Sequence, residues 1–438
     1  MKRLCLPLQI ALVLLMGIAV GFGLLLGVYA LPTEPMAANL RASVPALNGE
    51  WGREDSYEQL LPGYRSTQLD NSTDAAMLLA AVHESDLPLT VQVAQSFRYG
   101  GDGNAFGALL SYGQSGTEGL STVSIARYWH GYLVFLKPLL CFFSYLDIRM
   151  LLSLLQGCLM AAVIAGLCRR GLAMLVPAFL LALLAVTPFA TALSLQFSTV
   201  LCTFLCAMLA LLYLPAKTFA GHGLALLFVT VGMATSYVDY LTYPIASFGM
   251  PMILCLFLFP LDGWKAQAKR LFLCGLCWCV GYFGMWAGKW VIAGAFGNEV
   301  WFWPNLWAKI SERSSDVSGD QSLSYGMVLR SIVGVFRKRA YLLAFLATGL
   351  LWLAARIRRR RLPRACWKER SPLLALLGVI ALLPFAWYLC TQNHSYNHAF
   401  FTSRALCVTL FAVGCALSSL LPGFPGKISL QRKKTMLS

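Results

Sequence analysis

Apolar runs of about twenty residues alternate with short basic segments along most of the chain, and one long polar stretch, residues 31 to 127, breaks the rhythm. A bilayer core takes roughly 20 consecutive apolar residues to cross as a helix. By that measure the runs near 4–30, 147–168, 172–188, 195–215, 223–240, 244–261, 271–293, 340–356, 372–390 and 404–421 predict about ten transmembrane helices. The chain then divides into a first transmembrane helix (1–30), an extracytoplasmic loop with a juxtamembrane helix (31–146), a membrane helix bundle (147–421) and a basic cytoplasmic tail (422–438). The expected fold class is an all-α polytopic membrane protein.

Composition supports this division. Of 438 residues 58% are hydrophobic and only 12% charged, well below the roughly 25% charged residues of a soluble domain. A net charge of +16 on a soluble protein would point to nucleic acid. Here the basic residues crowd into short loops, the positive-inside pattern, and no nucleic-acid partner is expected. Arg169 and Arg170, Lys217, the group Lys265, Lys269 and Arg270, the run RIRRRRLPRACWKER and the tail lysines all fall on one side if both termini are cytoplasmic. Arg337, Lys338 and Arg339 alone fall on the other. The long polar stretch is then outside.

The segment RYWHGYLVFLKPLLCFFSYLD, 127 to 147, is apolar, but counting it as a span would place the arginine run outside. It is expected as an interfacial helix, with Tyr128, Trp129 and Tyr132 in the aromatic belt and Lys137 snorkelling toward headgroups. None of the 14 cysteines lies between 31 and 127, so packing on the membrane helices has to hold the outer loop. Cys274, Cys277 and Cys279 do not converge on a tetrahedral metal site when carried on one helix.

Candidate chemistry lies on the outer face. Asp70 and Asp74 precede an apolar helical pattern in LDNSTDAAMLLAAVHESD and are either helix caps or catalytic carboxylates. Asp239, in SYVDYLTYP at the outer end of a span, needs a partner or a role. His394 and His398 in TQNHSYNHAFFTSR share a helix face at a spacing of four, and Arg404 follows them. Together with Arg127, His130, Lys137 and Arg149 they are candidates for binding a phosphate or another part of the substrate. Arg98 in FRYGGDGNAFG sits beside a glycine-rich stretch that reads as a turn and not as a nucleotide loop. A divalent metal is possible, with no tight ligand set visible.

The long first outer loop with its acidic motif, followed by HGYLVFLKPLLCFFSYLDIRMLLSLLQGCLMAAVIAGLCRR, resembles the GT-C superfamily of polyprenyl-phosphate-sugar-dependent glycosyltransferases. Protein O-mannosyltransferases and aminoarabinose transferases belong to that superfamily. The resemblance covers about the first 170 residues. Its acid motif is D-x-x-x-D where relatives carry an adjacent pair. It implies a bacterial plasma-membrane enzyme with its active site outside, a lipid-linked sugar donor, and an envelope glycan, lipid or protein as acceptor. Asp70 or Asp74 would be the base, with Asp70 preferred, while Arg127, His394, His398 and Arg404 would stabilise the leaving phosphate and Asp239 would hold a metal or orient the acceptor. A transporter or flippase of a lipid-linked solute, or a glycan polymerase or ligase, are the alternatives.

Overall fold

The computed structural model describes residues 4–50, 57–101, 103–296, 302–361 and 367–424. It is 75% helical. Seven helices are long and apolar enough to cross a bilayer, the architecture of an integral membrane protein: Leu6–Tyr29, Tyr145–Arg169, Leu195–Tyr213, Trp264–Phe296, Arg339–Arg358, Arg370–Cys390 and Ala399–Ser419. The three remaining apolar runs form shorter helices, Ala173–Val186, Gly223–Val238 and Ile245–Leu258. The 14 residues of Ile245–Leu258 rise only about 21 Å, less than the roughly 30 Å of a hydrocarbon core. Local chemistry sets these ends. Thr187 turns left-handed at φ 56° after Val186, and Asp239 terminates Gly223–Val238 with extended backbone. Arg364 of the arginine run and Lys427, Arg432, Lys433 and Lys434 of the tail lie outside the described residues.

Two helices meet on facing glycines. A Cβ at Gly232 would stand 2.2 Å from the Trp278 carbonyl oxygen, and one at Gly281 would stand 2.1 Å from that of Val229. Without a side chain at either position the backbones of Gly223–Val238 and Trp264–Phe296 pack directly, as small residues permit in membranes. Gly281→Val pushes these backbones apart at a cost of about 3 kcal/mol. The expected result is a sharp loss of monodisperse protein on size exclusion in detergent, and a normal yield would contradict it.

Residues 31–146 form a folded layer, and it is not purely helical. Strand Phe97–Gly100 pairs antiparallel with Ser121–Ser124, beside helices Thr33–Glu50, Asn71–Ala81 and Ala105–Ser115. Arg98 therefore lies in a strand. Polar contacts bolt the layer to the bundle. Lys289 Nζ donates to the Val93 and Ala94 carbonyls (2.7 and 2.8 Å) and to Ser96 Oγ at 3.0 Å, closing the C-terminus of Leu89–Gln95. Trp129 Nε1 donates to the Met285 carbonyl at 2.6 Å and the Gly131 amide to that of Tyr237 at 2.8 Å.

The interfacial helix expected over 127–147 is corrected. Only Leu133–Leu140 is helical before Tyr145–Arg169 begins, and His130 adopts φ 58°, a conformation that stops a helix. Tyr128, Trp129 and Tyr132 are buried, not in an aromatic belt, because they fill the seam between the layer and the bundle. Lys137 does not snorkel. It is buried, donates to the Ala81 carbonyl at 2.7 Å and lies over the Tyr29 ring. That carbonyl ends Asn71–Ala81, so the lysine neutralises a helix C-terminus.

Candidate functional site

The segment before Asn71–Ala81 places both outer carboxylates at a helix start. Asp70 is its N-cap, accepting from the Thr73 amide at 3.0 Å and from Thr73 Oγ1 at 2.9 Å. One turn later Asp74 is fully buried and reaches the start of Leu195–Tyr213. There it accepts from Tyr145 OH (2.9 Å), Ser194 Oγ (3.1 Å), the Leu195 amide (3.0 Å) and the Gln196 amide (3.2 Å). Burial raises the Asp70 carboxyl above its ordinary range, and it pushes that of Asp74 up to about 6 against the donors that lower it. Asp74 therefore bolts the folded 31–146 layer to helix Leu195–Tyr213. Asp70 spends one lone pair on each oxygen and keeps acceptor capacity.

Two residues next to these carboxylates carry buried polar atoms without hydrogen-bond partners among the described residues. They are Nδ2 and Oδ1 of Asn71, which follows Asp70 in sequence, and Oε1 of Gln196, whose amide binds Asp74. Native interiors satisfy more than 90% of such groups, so these atoms are candidate partners for a polar ligand. Asp74→Ala removes the acceptor for two backbone amides and two hydroxyls at once. At about 1–3 kcal/mol for each donor left buried, the folded protein is expected to fall to a small fraction of wild type in detergent. A wild-type melting curve would overturn the bolt.

A second cluster forms where the 127–132 segment, the Tyr240 turn and Trp264–Phe296 meet. The guanidinium carbons of Arg127 and Arg313 lie 5.3 and 5.5 Å from the Tyr128 ring centre. Tyr240 packs edge-on to Tyr128 at 4.9 Å, and Trp286 lies 6.3 Å from it. His130 Nε2 faces the Ile125 carbonyl at 3.0 Å, while Nδ1 meets Tyr132 OH at 3.1 Å and Tyr240 OH. Desolvation first, then Lys289, Arg127 and Arg98, lowers His130 to about 3. This histidine is neutral and structural.

The second cluster has cations that form no ion pair among the described residues. Arg98 Nε, Arg127 Nε, Tyr128 OH and Trp286 Nε1 are buried without hydrogen-bond partners among the described residues. No described carboxylate forms an ion pair with Arg98, Arg127 or Arg313; the neighbouring acid Glu312 is exposed and bound to Lys309 at 2.6 Å, and Arg313 and Arg127 help to hold its carboxyl below the ordinary range. Guanidiniums gathered over an aromatic face with spare donors suit a phosphate.

The remaining candidates divide. Asp239 turns back on its own chain, accepting from the Thr242 amide at 3.1 Å and from its hydroxyl, and burial pushes its carboxyl up to about 6. His394 donates to the Leu241 carbonyl in that turn (2.7 Å) and lies 4.9 Å from His398, whose ring stacks on Phe401. Burial, with Arg313 the next cause, lowers His394 well below its ordinary range and His398 to about 4. Both are neutral donors or acceptors, not cations. Arg404 is not a free cation either. It is buried, bonds the Val186, Phe400 and Ser66 carbonyls at 3.0 to 3.2 Å and lies 4.0 Å over Phe197. Its place is structural. Among the described residues no three His, Cys, Asp or Glu side chains gather as a metal site.

The 392–405 segment links the two clusters. Its histidines feel Arg313, and Phe400 packs on Phe197, next to Gln196. Arg313, Trp286, Asn71 and Gln196 escaped sequence reasoning. Asn71 adjoins a candidate that the sequence does offer, whereas nothing in the sequence pairs Arg313 with Tyr128. The chain matches no known protein family, no curated protein and no solved structure.

Proposed function

We propose that the protein is a membrane glycosyltransferase that transfers a sugar from a polyprenyl-phosphate donor to an extracytoplasmic acceptor. In this reading all ten apolar helices lie in a cell-envelope membrane, with both termini cytoplasmic and the folded outer layer facing outside. The observation that carries it is the pair of guanidiniums, Arg127 and Arg313, over the Tyr128 ring, neither in an ion pair among the described residues. It sits under a layer that also presents a spare carboxylate.

The chemistry follows from these two parts. The Asp70 carboxylate takes the proton of an acceptor hydroxyl as that oxygen bonds the anomeric carbon from the face opposite the phosphate, inverting its configuration. The bond from that carbon to the donor phosphate oxygen breaks, and its electron pair leaves on the polyprenyl phosphate. Arg127 and Arg313 stabilise the charge that develops there, with Tyr128 OH as a neutral donor. Asn71 and Gln196 position the acceptor beside Asp70, and His394 and His398 contribute polar contacts. A transporter would need the outer layer to move, whereas Lys289, Trp129, Gly131 and Asp74 fix it to three separate helices, Trp264–Phe296, Gly223–Val238 and Leu195–Tyr213.

The test is the purified chain in vesicles supplied with polyprenyl-phosphate sugars labelled in the sugar, together with envelope lipid, glycan and protein fractions as acceptors. Expected is release of polyprenyl phosphate with the label moving to one fraction. Label that crosses the vesicle wall still attached to its lipid supports a flippase instead.

A further inference from the structure

At the opposite end of the bundle from the outer layer, a cleft of about 460 Å³ opens between Trp264–Phe296 and Trp367–Cys390. Small and apolar side chains make it: Ala268 and Ala375 leave the gap, Leu376 forms part of its wall, and Trp264, Ser371 and Val379 surround them. Trp264 and Val379 are more than half exposed, so the cleft faces the bilayer along its side and the polar region at its end. Trp264–Phe296 has 33 residues and is about 50 Å long, some 20 Å more than a hydrocarbon core. Its first turns must therefore emerge among headgroups, where an exposed tryptophan belongs.

Charge decides what occupies the cleft. Trp264 and Ala268, one helical turn apart, line it, and Lys265 and Lys269 follow each by one position. Both lysines are exposed and sit one position past lining residues of the same helix, which puts them beside the cleft. An uncharged chain end would leave this cationic rim unanswered, and a free phosphate would leave the apolar walls empty.

We propose that this cleft is a binding site for an anionic glycerophospholipid, with one acyl chain between Ala268, Ala375 and Leu376 and the phosphate at Lys265 and Lys269. The lipid fills the gap that these small residues leave between two helices and stabilises the bundle from the basic face. The site is independent of sugar transfer and makes no contact with Asp70 or the Arg127 cluster.

The experiment is thermal unfolding of the full chain in a neutral detergent, titrated with phosphatidylglycerol, phosphatidylcholine or inorganic phosphate. Phosphatidylglycerol is expected to raise Tm saturably by about 2–3 °C, the size of shift given to a chain of this length by a ligand at tens of times its Kd. Phosphatidylcholine and phosphate should give little. Lys265→Ala with Lys269→Ala is expected to weaken phosphatidylglycerol about tenfold, and Ala375→Phe, which fills the gap, to remove the increment. Equal shifts from both lipids, an equal shift from free phosphate, or a full increment in the lysine double variant would each overturn the site. Should Ala375→Phe fail to fold, the lysine variant decides alone.

Discussion

Asp70→Asn is expected to lower the rate of sugar transfer about 1,000-fold while the protein still folds and still binds polyprenyl phosphate, since a positioned base contributes roughly 10²–10⁴ in rate. Folding is spared because asparagine is as good an N-cap as aspartate. Its side-chain oxygen can keep the bond from the Thr73 amide that now goes to Oδ1 of Asp70. What it cannot do is take a proton. Burial holds the Asp70 carboxyl above the ordinary range, so wild-type transfer should rise with pH as this group ionises, and the variant should lose that limb. Full activity in Asp70→Asn would move the base elsewhere. Asp239, whose oxygens are engaged by Thr242, would be the next carboxylate to try.

Arg127→Ala combined with Arg313→Ala is expected to weaken binding of polyprenyl phosphate by about 100-fold or more, at roughly 1.5–3 kcal/mol for each hydrogen bond to a charged group. Both guanidiniums lie on the Tyr128 ring, and no hydrogen bond from either to a backbone carbonyl is seen among the described residues, unlike Lys137, Lys289 and Arg404. The melting temperature should therefore hold or rise as repulsion between the cations is relieved. Arg404→Ala gives the contrasting result. It strips three carbonyls of their donor and should lower stability before it touches binding. If the double variant binds polyprenyl phosphate as wild type does, the cluster is not a phosphate site.

Much of the architecture was legible because membrane helices write themselves as apolar runs. Each of the ten runs became a helix, and the outer carboxylates came to lie at a helix start, as Asp70 before an apolar pattern implied. Charge was less legible. His130, Lys137 and Arg404 read as available cations because sequence shows residue types and not their partners, and each is spent on carbonyls or hydroxyls inside the protein. Asp74 is equally spent, on a helix start about 120 residues away. The cation cluster could not be foreseen, because it joins Arg98 from a strand, Arg127 from an irregular turn and Arg313 from a helix beyond the seventh apolar run. Short two-stranded pairing at Phe97–Gly100 was hidden for a similar reason. Its partner lies beyond an intervening helix.

The proposed function requires the Arg127 and Arg313 cluster to receive a lipid phosphate beneath the folded 31–146 layer. The most direct measurement is a structure of the full chain with a non-hydrolysable polyprenyl-phosphate-sugar analogue. The phosphate is predicted to bond Arg127 and Arg313 and Tyr128 OH at hydrogen-bond distances of about 2.7–3.0 Å, with the sugar directed toward Asp70. A phosphate bound away from Tyr128, with Arg127 and Arg313 still lacking an anion, would contradict it.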